Sequence, residues 1–123
     1  MGFEIIKVEG MAGSKLLSAA TKAGGFVFLS GQGSVGPDGK IVPDTFEGEF
    51  HRTFDNCKKV LAAAGLDLSH VVRVNSYVRD EQDLALYNKL YGAYFPSNPP
   101  ARTTIIKCLG AIKYEVDMIA YAG

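Results

Sequence analysis

The chain has 123 residues, 47% of them hydrophobic and 21% charged, and its 13 basic and 13 acidic side chains cancel. That is enough for one hydrophobic core and too little for two, so a single domain over residues 1–123 is expected, folded rather than disordered. Zero net charge supplies no overall field to draw in nucleic acid or an anionic membrane surface.

No apolar run reaches the roughly 18 residues that a membrane span needs, and Met1–Lys7 lacks the apolar centre of a signal peptide, so a soluble, cytoplasmic protein is expected. Gly2 invites a myristoylation reading, but Ile6 stands where that pattern wants Ser or Thr. Cys57 and Cys108 fall in a predicted helix and a predicted strand, far from any paired metal-ligand spacing, and read as buried, reduced thiols.

In chain order, residues 3–8 suit a first strand, and the small, glycine-bounded stretch 13–25 suits a loop. Phe26–Ser30 is a continuous apolar run that predicts a strand covered on both faces. Gly36-Pro37-Asp38-Gly39 is a turn, after which Lys40–Val42 can return as a hairpin strand. Asp44 with Glu47 has the spacing of a capping box, and Phe46, Phe50, Phe54, Cys57, Leu61 and Ala64 follow on one helical face, closed by Gly65. Such an aromatic stripe calls for a sheet beneath it.

Val71–Val78 is β-branched and alternating, which places Val72, Val74, Ser76 and Val78 on one face and Arg73, Asn75 and Tyr77 on the other. Asp80 caps a second predicted helix whose apolar side is Leu84, Tyr87, Tyr91 and Tyr94 or Phe95, and Pro96 ends it. Two last strands, 101–108 and 114–121, are expected to lie side by side, joined through Leu109-Gly110-Ala111. The result is an α+β sandwich, two helices on one face of a mixed sheet. Its other face, with Ile105, Val116 and Met118 upon it, would be bare in a single copy, which favours self-association.

Few residues suggest chemistry. Gly31-Gln32-Gly33-Ser34-Val35-Gly36 has the spacing of a dinucleotide-binding loop but runs into a turn instead of a helix, so no cofactor is expected. Its glycines instead allow close backbone approach or expose amides to a small ligand. His51 and His70 lack partners at metal-ligand spacing, and no serine sits in a nucleophile elbow, so neither a metal nor a hydrolase triad is expected. Arg102 is different. Pro99-Pro100 fixes the backbone before it, and a guanidinium suits two-point recognition of a carboxylate. The anion is either Glu115 or Asp117 on the final strand, or a carboxylate brought by a ligand.

Pro100-Ala101-Arg102-Thr103-Thr104 and Tyr114–Ala120 resemble the signature of the RidA/YjgF family of reactive-intermediate deaminases. Phe26–Gln32, Val74–Asp80 and Tyr87–Phe95 extend the resemblance over essentially the whole chain. It implies a chorismate-mutase-like fold assembled as a homotrimer, with ligand sites in the clefts between subunits and no cofactor. It also implies hydrolysis of a 2-imino acid or its enamine to ammonia and a 2-keto acid. Arg102 would bind the substrate carboxylate, Asp117 would align with a water-positioning glutamate, and Ser30, Gly31 and Asn88 would contact the ligand. Leu17 stands where deaminating members often carry tyrosine, and Thr104 where a cysteine is frequent. Those two departures, with the shorter Asp117, leave room for a carboxylate-binding member without turnover. A ribonuclease role, attached to some relatives, fits poorly with zero net charge and no paired histidines.

Overall fold

The computed structural model describes residues 2–123. In chain order the elements are β1 (Glu4–Ile6), β2 (Ala20–Ala23), β3 (Phe26–Gly33), α1 (Phe46–Ala63), β4 (Val71–Val78), α2 (Leu84–Tyr94), β5 (Ala101–Ile106) and β6 (Tyr114–Tyr121). The strands make one sheet in the order β1-β2-β3-β6-β4-β5, antiparallel throughout except for the parallel pair β4–β5. Helix α1 packs on β3 and β6 and against α2. The expected α+β class, a mixed sheet with two helices, is what forms.

Helix α1 follows its stripe: Phe46, Phe50, Phe54, Cys57 and Leu61 are buried, with Phe50 stacked on Phe54 at 4.8 Å and on Tyr114 of the sheet at 4.6 Å. Each phenylalanine so buried contributes about 2 kcal/mol. The N-cap is Thr45, not Asp44: Thr45 has extended backbone, and its hydroxyl accepts the Gly48 amide at 3.1 Å. Asp44 instead accepts the Thr45 amide at 2.7 Å, and the expected partner Glu47 stays exposed. Its place is taken by the fully buried Glu49, which accepts the Asp44 amide at 3.2 Å and, from the far side of the sheet's end, the Lys113 amide at 2.8 Å and ammonium at 3.2 Å. At the other end Gly65, at φ +76°, lets its own amide reach Ala62 and that of Leu66 reach Leu61, closing the helix.

The largest departure from the sequence reading is the placing of β5. It does not lie beside β6. Ile106 and Tyr114 both pair with Val78, from opposite sides of β4, so the connection crosses the end of that strand. Lys107 and Leu109 take left-handed backbone there, the Lys107 amide is anchored on Val78 and Arg79 donates to the Gly110 carbonyl at 3.0 Å. Cys108 therefore sits in this crossover, half-buried, instead of in a strand, while Cys57 is fully buried.

Other expectations change with the register. A bulge between Val71 and Arg73 turns Val71 inward and leaves Val72 exposed. Val116 and Met118 face the helices and are buried; of the residues expected on the bare face only Ile105 is there. Strand β3 is covered on one side only, with Val27 and Leu29 inward and Phe26 and Phe28 outward. Ala20–Ala23, expected as loop, pairs with β3 as β2. The hairpin return at residues 40–42 reduces to one bridge, Val35 to Ile41. Asp80 precedes a short 3₁₀ turn, Glu81–Asp83, and makes no side-chain cap bond; α2 begins after it at Leu84.

Candidate functional site

The residues singled out in the sequence gather in two places. Arg102 pairs across β5–β4 with Val74, whose side chain lies beneath the helices, so Arg102 projects to the helix side of the sheet. Glu115 and Asp117 pair with Tyr77 and Asn75 and project to the opposite, open face. Within one copy an ion pair between Arg102 and either carboxylate is therefore ruled out by topology, and none is made among the described residues.

Around Arg102 the surroundings are aromatic. Its guanidinium carbon lies 5.1 Å from the ring centre of Tyr87 and 4.7 Å from that of Tyr91, both on α2. The Tyr87 hydroxyl is 2.6 Å from that of Thr104, two residues beyond Arg102 on the same side of β5. The Tyr91 hydroxyl is buried with no hydrogen-bond partner among the described residues, and burial, followed by the neighbouring Tyr87, pushes it up to about 12. Asn88 is exposed on α2, next to Tyr87.

The second group lies at β3 and β6. A bulge between Leu29 and Gln32 breaks the pairing of β3 with β6, and Gly31 comes to rest against Glu115: a Cβ at Gly31 would stand 2.6 Å from a Glu115 carboxylate oxygen. Ser30 donates its hydroxyl to the Ser18 carbonyl at 2.6 Å, fastening the 10–19 loop to β3. Beneath that loop is a cavity of about 560 Å³, lined among others by Ile6, Met11, Leu17, Ser18, Gly31 and Gln32. Leu17, Ser30 and Gly31 thus fall together, apart from Arg102, Asn88 and Thr104, with which the sequence reading groups them.

The two carboxylates on the open face differ in commitment. Asp117 accepts the Asn75 amide at 2.8 Å and the Tyr77 hydroxyl at 2.9 Å. Glu115 has no such partners among the described residues, and its carboxyl is raised from the ordinary value, first by burial and then by the charge of Asp117. Alternation alone does not favour Glu115, since both carboxylates lie on one face of β6 at alternate positions. The tyrosine pair was also missed, because Tyr87 and Tyr91 read as core; their spacing of four just before Pro99-Pro100-Ala101-Arg102 was the available signal.

Strands β3 and β5 are three strand spacings apart, about 14 Å, and the two groups point to opposite faces. One copy does not bring Arg102 and Gly31 into one pocket.

Comparison with known proteins agrees with this framework. The family model described as Endoribonuclease L-PSP matches residues 11–122. The chain is 43% identical over 101 residues to Protein DfrA of Myxococcus xanthus, covering 80% of this chain and 77% of that protein. It is 38% identical over 88 residues to Reactive Intermediate Deaminase A, chloroplastic, of Arabidopsis thaliana, covering 71% of this chain and 47% of that one. The crystal structure of the YjgF gene product of E. coli superposes with a TM-score of 0.86 at 28% identity, over 98% of this chain and 99% of that one. With the mixed sheet, the paired helices and the sequence signature all in register, the chain belongs to the RidA/YjgF family, the family of the Endoribonuclease L-PSP model.

Proposed function

We propose that the protein is a hydrolytic deaminase of 2-imino acids and their enamine tautomers, releasing ammonia and a 2-keto acid. The observation that carries this reading is Arg102. Among the described residues no carboxylate pairs with it, it is exposed at an edge strand, and its planar N–H groups suit two-point recognition of a substrate carboxylate.

The other half of the site is Gly31 with Glu115. We place the attacking water on Glu115, where the sequence reading put Asp117, because Asp117 is committed to Asn75 and Tyr77 while Glu115 lies against the open backbone of Gly31. An iminium carbon is already electrophilic, so the enzyme's task is to orient it, hold its carboxylate and place one water. Water adds to the carbon of the C=N bond and gives its proton to Glu115. That proton passes to the nitrogen; as the C–N bond breaks, the hydroxyl left on carbon gives its own proton to Glu115 and from there to the departing ammonia, so ammonium leaves and the water oxygen stays as the keto oxygen. An enamine first takes a proton at carbon to become the imine.

The two halves meet only if the β5 edge of one copy abuts the β3–β6 region of another. The open face supports such an assembly: Phe26, Phe28, Val72, Ile105 and Tyr121 are all more than 40% exposed upon it. We take the assembly to be a homotrimer with three sites between subunits, and Ser30 and Asn88 to be ligand contacts beside Gly31 and Arg102. No helix among the described residues is long and apolar enough to cross a membrane, and the cytoplasm is the compartment we propose.

The test is to generate 2-aminoacrylate and longer 2-imino acids in place and follow keto acid against buffer. Acceleration for at least one is expected; none for any would overturn the proposal. Leu17 at the cavity, in place of the hydrogen-bonding tyrosine, favours one second reading: a small-carboxylate-binding trimer with a regulatory or protein-interaction role. Saturable binding of a 2-keto acid without turnover would select it.

A further inference from the structure

Four arginines occur in the chain, and three commit their N–H groups to oxygen. Arg52 donates to Ser34 and Asp44, Arg73 to Thr103, and Arg79 to Asp80 and Gly110. Among the described residues Arg102 is the arginine held by ring faces instead. A carboxylate partner would fix a guanidinium but would also neutralise it and occupy its donors. Two aromatic rings attract the cation through their quadrupoles without neutralising it, and they supply no oxygen that would take up its N–H groups. The rings are themselves fixed: Tyr91 packs against Phe95 in a tilted pair with ring centres 4.9 Å apart, and Tyr87 is fully buried with its hydroxyl on Thr104.

We propose that Tyr87 and Tyr91 are positioning residues that hold Arg102 in a carboxylate-receiving orientation, and that Thr104 acts through Tyr87. Thr104 then has a purpose of its own in this chain. From the strand that carries Arg102, it locks the ring on which Arg102 rests. The ligand arm of the test rests on the deaminase reading; the spectroscopic arm does not.

The experiment follows two readouts in the assembled protein. One is the Nε–H resonance of Arg102, identified by its loss in Arg102→Lys and expected upfield through ring currents. The other is the affinity for pyruvate by calorimetry, with KM and kcat for an imino acid. Tyr91→Leu is expected to return the resonance toward its free position, weaken pyruvate about tenfold and raise KM more than kcat falls. Tyr91→Phe keeps the ring and should recover the resonance and most of the affinity, which a merely structural role would not require. Thr104→Val and Tyr87→Phe should each weaken binding about threefold, and the double variant no further, because they remove the two ends of one hydrogen bond.

A Tyr87→Leu/Tyr91→Leu protein that folds with the resonance and the affinity unchanged would overturn the platform. Should the leucine variants fail to fold, the Thr104–Tyr87 cycle decides: additive losses, or none, would overturn the link. A wild-type protein that neither binds pyruvate nor hydrolyses imines would sink the deaminase reading, and the Arg102 resonance would still decide the platform.

Discussion

The β5–α2 edge and the β3–β6 face each hold a charged group on which the proposed reaction depends, Arg102 and Glu115, by opposite means. Arg102 is exposed and rests on two rings, and its guanidinium makes no ion pair among the described residues. Glu115 is half-buried against Gly31 beside a second carboxylate, and its proton is held more tightly for both reasons. The first arrangement keeps a permanent charge available for binding. The second keeps a carboxyl whose ionisation responds to its surroundings, which suits a group that handles protons. In the proposed reaction a substrate carboxylate would bind in the first region and the attacking water in the second, so substitutions should separate affinity from turnover.

The largest effect should come from Arg102→Ala. Losing a two-point charged contact costs about 4 kcal/mol, roughly a thousandfold in kcat/KM, with 2-keto acid binding lost in parallel. Steady-state kinetics and calorimetry on the same preparation check this; a fully active variant would break the division between the regions. Glu115→Gln should lower kcat by about a hundredfold, the ordinary contribution of a proton acceptor, while keto acid binding changes little. If affinity fell as far as kcat, Glu115 would be a binding group and the comparison would collapse.

Gly31→Ala is a subtler break in the same region. The added methyl would meet the Glu115 carboxylate at the flexible end of its side chain, so the carboxylate shifts and the backbone stays. We expect kcat to fall about tenfold with the melting temperature nearly unchanged, since displacement by a fraction of an ångström misplaces the water without emptying the core.

How far the sequence reveals these two regions depends on how local each signal is. The aromatic stripe of α1 has a period of its own, and it predicts both the helix and the face it buries. The neighbour of β5 is not local. It depends on left-handed backbone at Lys107 and Leu109, residues that seldom adopt it, and on the Lys107 amide reaching back to Val78. Without that crossover, Arg102 and the final-strand carboxylates look like neighbours. Glu115 and Asp117 are equivalent by alternation, and only the bulge in β3, which sets Gly31 against one of them, tells them apart. The β2 stretch, Ala-Thr-Lys-Ala, carries too little apolar pattern to reveal itself and becomes a strand through pairing with β3.

Asp117→Asn should produce the smallest change and the sharpest test of the second region. Asparagine keeps the shape and can still accept from Asn75 while donating to the Tyr77 oxygen, so fold and affinity should hold. What it removes is the charge that, after burial, raises Glu115. The sign follows directly. Glu115 accepts a proton only when ionised, so activity rises as pH climbs through its pKa. Removing the neighbouring charge lowers that pKa, and the acidic limb of kcat/KM should move to lower pH while staying above the ordinary carboxylate range, because burial remains. Stability carries the same signature. A raised carboxyl favours the folded state while protonated, and that contribution is lost as pH rises through the folded pKa, so Asp117→Asn should flatten the loss. A limb that stayed in place in Asp117→Asn but vanished in Glu115→Gln would leave burial as the sole cause; one that vanished in Asp117→Asn instead would return the water-holding role to Asp117.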